Sequence, residues 1–169
     1  MGRAAIILTA AIALPLIAAV GLPSSLFGSA PTSREWHAEA NAIRIVDGET
    51  IGLGDRVVRL AGIAAPSRGE DCRRGSGEVF DCGAASTAAL MRLVSGRNLS
   101  CRIVGQDGFG RGLGQCEAAG ADVNRALVRG GFAVSTTSAL RSEEDAARRS
   151  AQGLWANAAG APDTWRQRD

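Results

Sequence analysis

The chain contains no lysine and no tyrosine, and its one histidine is His37. These absences remove several chemistries at once. A histidine base or nucleophile is not available within the body of the chain. The four cysteines form no C-x-x-C pair, and without further histidines they do not suit a zinc centre. The net charge of +2 is too small to draw nucleic acid by bulk attraction. All nineteen basic residues are arginines. That reads as a genome bias toward Arg, Ala and Gly, although guanidinium is also the group best shaped for bidentate phosphate recognition.

What is present begins with a leader. Met1 to Arg3 are a short basic lead, and Ala4 to Leu22 carry no charge. A run of that length suits either a long signal peptide or a membrane span, and it is apolar on every face, unlike a core helix. Gly28-Ser29-Ala30 has the small residues a signal peptidase favours, but Pro31 follows at once. Residues 1–30 are therefore expected to be a signal peptide or an N-terminal membrane anchor, with 31–39 a linker and 40–169 one domain. The domain is expected in the periplasm, secreted, or tethered to the inner membrane facing the periplasm. An even number of cysteines in an exported chain implies disulfides.

From Ala38 to about Ile63 the sequence alternates and is rich in Val and Ile, broken at Asp47-Gly48 and Gly54-Asp55. This predicts three short strands. Residues 66–81 read as a charged loop. Asp81 then caps a helix to Val94 that stops at Gly96. Asn98–Val104 and Gly112–Ala118 read as a strand pair whose turn is centred between Gly108 and Phe109. That centre is also the midpoint between Cys101 and Cys116, so a hairpin there sets the two opposite one another. Cys72 and Cys82 are left to tie the loop to the helix, although four cysteines allow three connectivities. Asp122 caps a second helix that stops at Gly130-Gly131, and Ser142 a third that ends at Gly153. Five strands with a helix between the third and fourth predict an α+β domain built on a five-stranded OB barrel with about three helices.

The segments IRIVDGETIGLG (43–54), VVRLAGIAAPS (57–67), DGFGRGLG (107–114), ALVRGGFA (126–133) and GLW…PDTW (153–165) resemble the staphylococcal-nuclease-like, or thermonuclease, family in order and spacing. The likeness covers nearly all of residues 40–165, and exported alphaproteobacterial members are the nearest in style. It implies an OB fold and, in active members, calcium-dependent cleavage of nucleic-acid phosphodiesters. Their motifs read DGDT, RLxGIDxPE and DxYGR. Paired carboxylates hold calcium, a glutamate after the proline activates water, and two arginines bind the phosphate.

Carried over position by position, Arg59 and Arg111 match the phosphate-binding arginines. Glu49 replaces the first calcium aspartate with a side chain one methylene longer. Ala64 replaces the second, Ala65 still offers a backbone carbonyl, and Ser67 replaces the general base. Phe109 stands for the motif's aromatic residue, and the tyrosines that pack on a nucleotide are missing. Asp47, beside Glu49, is the remaining candidate metal ligand. Glu70 and Asp71 read as solvated loop charges, and Ser67 has no histidine to make it a nucleophile. The glycines of GFGRGLG read as turn glycines, lacking a P-loop's GK[ST]. Trp155 and Trp165 read as core, while Trp36 falls in the linker and is uninformative.

The resemblance thus implies a catalytically impaired, exported module that binds nucleic acid or another phosphate-bearing ligand as a monomer. No cofactor is expected unless it is active, in which case calcium is. An altered but working nuclease is the alternative. A third expectation is an accessory role in exopolysaccharide biosynthesis, since some family members are named for succinoglycan. A retained leader would add the membrane as a partner.

Overall fold

A computed structural model of the protein describes residues 34–156 and 163–167. In chain order these form β1 (Arg34–Ala38), β2 (Ile43–Ile45), β3 (Thr50–Leu53), β4 (Arg56–Leu60) and β5 (Ile63–Ala64). Next come β6 (Asp71–Arg73), β7 (Val79–Asp81), α1 (Cys82–Val94), β8 (Leu99–Gln106) and β9 (Gly112–Ala118). The chain continues through β10 (Ala121–Asp122), α2 (Val123–Arg129), β11 (Val134–Ser135) and α3 (Arg141–Arg149). The expected leader at residues 1–30 lies outside the described residues.

The main sheet runs β1-β8-β9-β4-β3-β2, with β10 added to β9. The five expected strands are β2, β3, β4, β8 and β9. Their ladders are antiparallel except for β4 beside β9, which is parallel. That order, with the parallel pair at its centre, is the α+β OB-type arrangement. The two ends of the sheet path, β1 and β2, are consecutive in the chain, so the sheet curls round and the backbone itself links its edges.

The expected linker at 31–39 is corrected here. Residues 34–38 form β1, paired along its length with β8 from Arg34↔Ile103 to Ala38↔Leu99. Trp36 holds it in place, buried against the barrel with the Arg56 guanidinium 5.1 Å from its ring centroid. Two glycines of GFGRGLG make room for core packing rather than for a turn, Gly112 for Trp36 and Gly114 for Val58. A Cβ at Gly112 would stand 2.8 Å from the Trp36 ring, and one at Gly114 would stand 2.5 Å from Val58. Gly110, at φ 78°, is the glycine the turn itself requires.

Inward-facing residues of the sheet, including Ile51, Val58, Leu60, Leu99 and Cys101, form one core with Leu90 and Val94 of α1 and Leu127 and Val128 of α2. Asp81 and Asp122 cap these helices by accepting from Ala84 N and Arg125 N. Each cap is worth about 1 kcal/mol. The α3 cap differs from expectation. That helix begins at Arg141, following a 3-10 turn at Ser138–Leu140, so Ser142 lies inside it. A second core unites Cys82, Val134, Ala147, Leu154, Trp155 and Trp165, which confirms both tryptophans as core.

Both expected disulfides are present, Cys72–Cys82 and Cys101–Cys116. The second joins directly opposed residues of the β8–β9 hairpin. The 66–81 loop is more ordered than expected, because β6 and β7 pair within it and set Cys72 opposite Phe80. Two disulfides suit an oxidising, extracytoplasmic setting. Among the described residues no helix is long and apolar enough to cross a membrane.

Candidate functional site

The turn from β2 to β3 brings the first motif against α1. Asp47 Oδ1 accepts from Glu49 N at 2.9 Å, which closes a local Asx turn. Gly48 is required at its tip, since a Cβ there would lie 2.7 Å from Ser86 Cβ and 3.0 Å from Ala65 Cβ. Thr50 stands opposite Arg59 in the β3–β4 ladder, so Glu49 is delivered beside that arginine.

The extra methylene of Glu49 is fully used. One carboxylate oxygen accepts from Arg59 Nε at 2.9 Å and the other from Ala65 N at 2.8 Å. The two side chains are 9% exposed for Arg59 and 16% for Glu49. Burial pushes the Glu49 carboxyl above its ordinary pKa, outweighing the Ala65 N–H and the Arg59 charge, which pull it down.

Arg111 is held in a similar way by its own turn. Asp107 Oδ2 accepts from Arg111 Nε at 2.5 Å, while Oδ1 accepts from the backbone N–H groups of Phe109 and Arg111, both at 2.9 Å. Burial raises the Asp107 pKa, but these hydrogen bonds and the Arg111 charge together outweigh it and hold the carboxyl low. Phe109 is 85% exposed, and its ring centroid lies 5.3 Å from the Arg111 guanidinium carbon. Arg59 is in register with Leu113 across the parallel β4–β9 pair. Arg111 stands immediately before β9 and two residues before Leu113, so an extended backbone there sets it on the sheet face that carries Arg59.

The other expected positions separate. Ala64 is buried in β5, paired with Val134, and belongs to the second core. Ala65 contributes its N–H to Glu49. Ser67 is exposed, and its N–H donates to Glu70 Oε2 at 2.9 Å. Glu70 is therefore not the solvated charge expected: its other oxygen accepts from Trp165 Nε1 at 2.6 Å. A Ser-x-x-Glu spacing, which lets a carboxylate reach back three residues, was the available local signal. Asp71 is exposed, at the start of β6. Arg68, not singled out by the sequence, donates from Nε to Val46 O at 3.0 Å.

Calcium needs six to eight oxygen ligands. Here both Glu49 oxygens are committed, position 64 has no carboxylate, and Glu70 is drawn to Ser67 N and Trp165. Among the described residues no three acidic, histidine or cysteine side chains cluster to hold a metal. The residues present do not fit the calcium that the fold family implies.

The family model described as "Staphylococcal nuclease homologue" matches residues 57–157, from β4 through the residues after α3. The chain belongs to this family. It is also similar to the "Succinoglycan biosynthesis protein ExoI" of Rhizobium meliloti (strain 1021), at 32% identity over 117 residues. That match covers 66% of this chain and 61% of the relative, so the chain spans about 61% of the length of the relative it matches. As a staphylococcal nuclease homologue it bonds Arg59 to Glu49 and Arg111 to Asp107 beside its curled sheet.

Proposed function

We propose that this domain is an exported module that binds phosphate-bearing ligands through Arg59 and Arg111 and has lost ordinary calcium-dependent cleavage. The observation that carries this reading is the placement of both guanidinium groups on one sheet face, beside carboxylates that serve the arginines and not a metal. Asp107 grips Arg111 by Nε, and the two Nη groups make no hydrogen bond among the described residues. That edge suits a bidentate phosphate contact. Glu49 competes with any ligand for Arg59. Replacing the general base by Ser67 removes about two to four orders of magnitude in rate, and loss of metal assistance acts in the same direction.

Calorimetric titration with a nucleoside 3′,5′-bisphosphate tests the reading. Arg59→Ala with Arg111→Ala is expected to weaken binding at least roughly tenfold, the loss of one charged hydrogen-bond contact. Unchanged affinity would overturn it. Turnover of single-stranded DNA that calcium supports, EDTA abolishes and Arg59→Ala removes would establish a working, altered nuclease instead. A second reading, an accessory role in exopolysaccharide biosynthesis, rests on the relative's name and the 32% identity to it. Loss of exopolysaccharide from a deletion strain, restored by the intact gene, would support that role.

A further inference from the structure

Trp36 Nε1 is buried and has no hydrogen-bond partner among the described residues. A buried donor left without an acceptor is costly, so its surroundings bear on what it serves. The Cζ3 edge of the Trp36 ring is the edge that fills the space at Gly112. Nε1 lies across the indole from Cζ3 and therefore points away from β9. Trp36 also lines a cleft of about 420 Å³. Its walls are the ends of β1 and β3, the 3-10 turn Ala40–Ala42 and the β3–β4 turn, with no described residue of β8 or β9. Ala42 N donates to Glu39 O and Gly54 N to Ala42 O, both at 2.9 Å, which fixes one wall against the other. Arg56 marks this end of β4, about 10 Å along the strand from Arg59, so the cleft is separate from the Arg59 and Arg111 site.

The groups around the cleft are of opposite kinds. Trp36 Nε1 and the Arg56 guanidinium only donate, the Glu39 and Asp55 carboxylates only accept, and the Asn41 amide does both. The side chains of Glu39, Asn41, Asp55 and Arg56 are exposed and make no hydrogen bond among the described residues. Asp55 and Arg56 share only an ion pair at 4.0 Å. An anion would satisfy the donors but be repelled by two carboxylates, and a cation would do the reverse. A hydroxyl accepts and donates at once, and adjacent hydroxyls repeat that pairing at a spacing planar carboxylate, amide and guanidinium groups can bridge. The Arg56 guanidinium stands 5.1 Å from the Trp36 ring centroid, so the N–H edge of the indole, and not a bare ring face, is what meets a ligand. Leu53 and Ala38 add an apolar patch for C–H groups. The volume suits a small ligand.

We infer that this cleft is a saccharide-binding site. A neutral sugar residue accepts from Trp36 Nε1–H and Arg56 through its hydroxyl oxygens and donates to Glu39 and Asp55. The inference does not rest on the phosphate reading. It gives the exopolysaccharide reading a contact surface that the arginine site does not.

The test is 15N–1H correlation spectroscopy of the labelled full chain. Three tryptophans give three indole N–H signals, and Trp36→Phe assigns the one from Trp36. Methyl β-glucoside, methyl β-galactoside, cellobiose and lactose are titrated singly into the tens of millimolar. At least one is expected to move the Trp36 signal downfield along a saturating curve, leaving those of Trp155 and Trp165 in place. Asp55→Ala and Asn41→Ala should each weaken that sugar roughly tenfold, the loss of one hydrogen-bonding group. Asp71→Ala, which removes an exposed carboxylate on β6, should not change it. If no sugar moves the Trp36 signal, or if the Asp55 and Asn41 variants bind as the wild type does, the inference falls. Movement by sodium phosphate or spermidine, without movement by any sugar, would overturn it in favour of an ion site. Arg111→Ala should leave the sugar curve unchanged; a lost curve would place the sugar on the sheet face and end the cleft assignment.

Discussion

Glu49 and Arg59 form a largely buried pair in which the carboxylate also holds the backbone of Ala65, with both contacts under 3 Å. An aspartate at position 49 would be one methylene short of this double contact. The pair therefore joins the β2–β3 turn, strand β4 and the entry to the 66–81 segment. Glu49→Ala removes a charge partner from a largely buried arginine and an acceptor from a backbone N–H. A loss of about 3 kcal/mol is expected, read as a lower urea midpoint with an unchanged m-value.

Asp107 gives the clearest pH dependence. Its folded pKa is lowered, so its contribution to stability is present above the ordinary aspartate value, about 3.9. That contribution is lost as pH falls through the lower folded value. Melting temperatures between pH 2 and 6 should therefore fall more steeply on acidification in the wild type than in Asp107→Asn. Parallel curves for the two proteins would show that the Arg111 contact does not stabilise the fold.

The Cys101–Cys116 bridge closes a separation of 15 residues across directly paired positions. A loop of that size restricts the unfolded chain by about 3 kcal/mol in the chain-entropy description. Replacing both cysteines with alanine should cost at least that much, since both side chains are also buried. Denaturant unfolding of the double variant checks it.

Legibility of the sequence followed the range of the interactions concerned. The Asp81 and Asp122 caps are local, three residues from their donors, and were predictable. The β8–β9 hairpin was legible because its cysteines sit symmetrically about the turn. Strand β1 was not, because its single buried apolar residue, Trp36, gives no alternation and its ladder lies more than sixty residues away on β8. The role of Glu70 is hidden for a similar reason: one contact is to Ser67, but the other is to Trp165, 95 residues on. Ser142 fitted a local capping pattern, but the preceding 3-10 turn already starts the helix before it. At the site, Arg59, Arg111 and Glu49 were legible by motif. Which atoms Glu49 would engage depends on Ala65, 16 residues away.

Gly112 tests the correction to β1. Adding a methyl group there drives into the Trp36 ring, so Gly112→Ala should cost about 1–3 kcal/mol through displacement of β1. Faster hydrogen exchange across Arg34–Ala38, with α1 unchanged, would locate the damage. Unchanged exchange in β1 would mean that Trp36 does not depend on that space.

Restoring the family's carboxylates at two positions should not be enough to restore calcium binding. Ala64→Asp with Ser67→Glu supplies the missing groups but leaves Glu49 bonded to Arg59 and Ala65 N, so both of its oxygens stay occupied. Ala64 is also 1% exposed, and a carboxylate there is costly until a cation compensates it. The double variant should melt below the wild type, with little change on adding calcium. Adding Glu49→Asp shortens the third carboxylate and frees it from the double contact. Calcium should then raise the melting temperature of the triple variant, because a ligand that binds only the folded state stabilises it by mass action. An equal calcium-induced rise in the double variant would show that the Glu49 contact yields readily to metal. It would also identify positions 64 and 67 alone as the barrier to calcium.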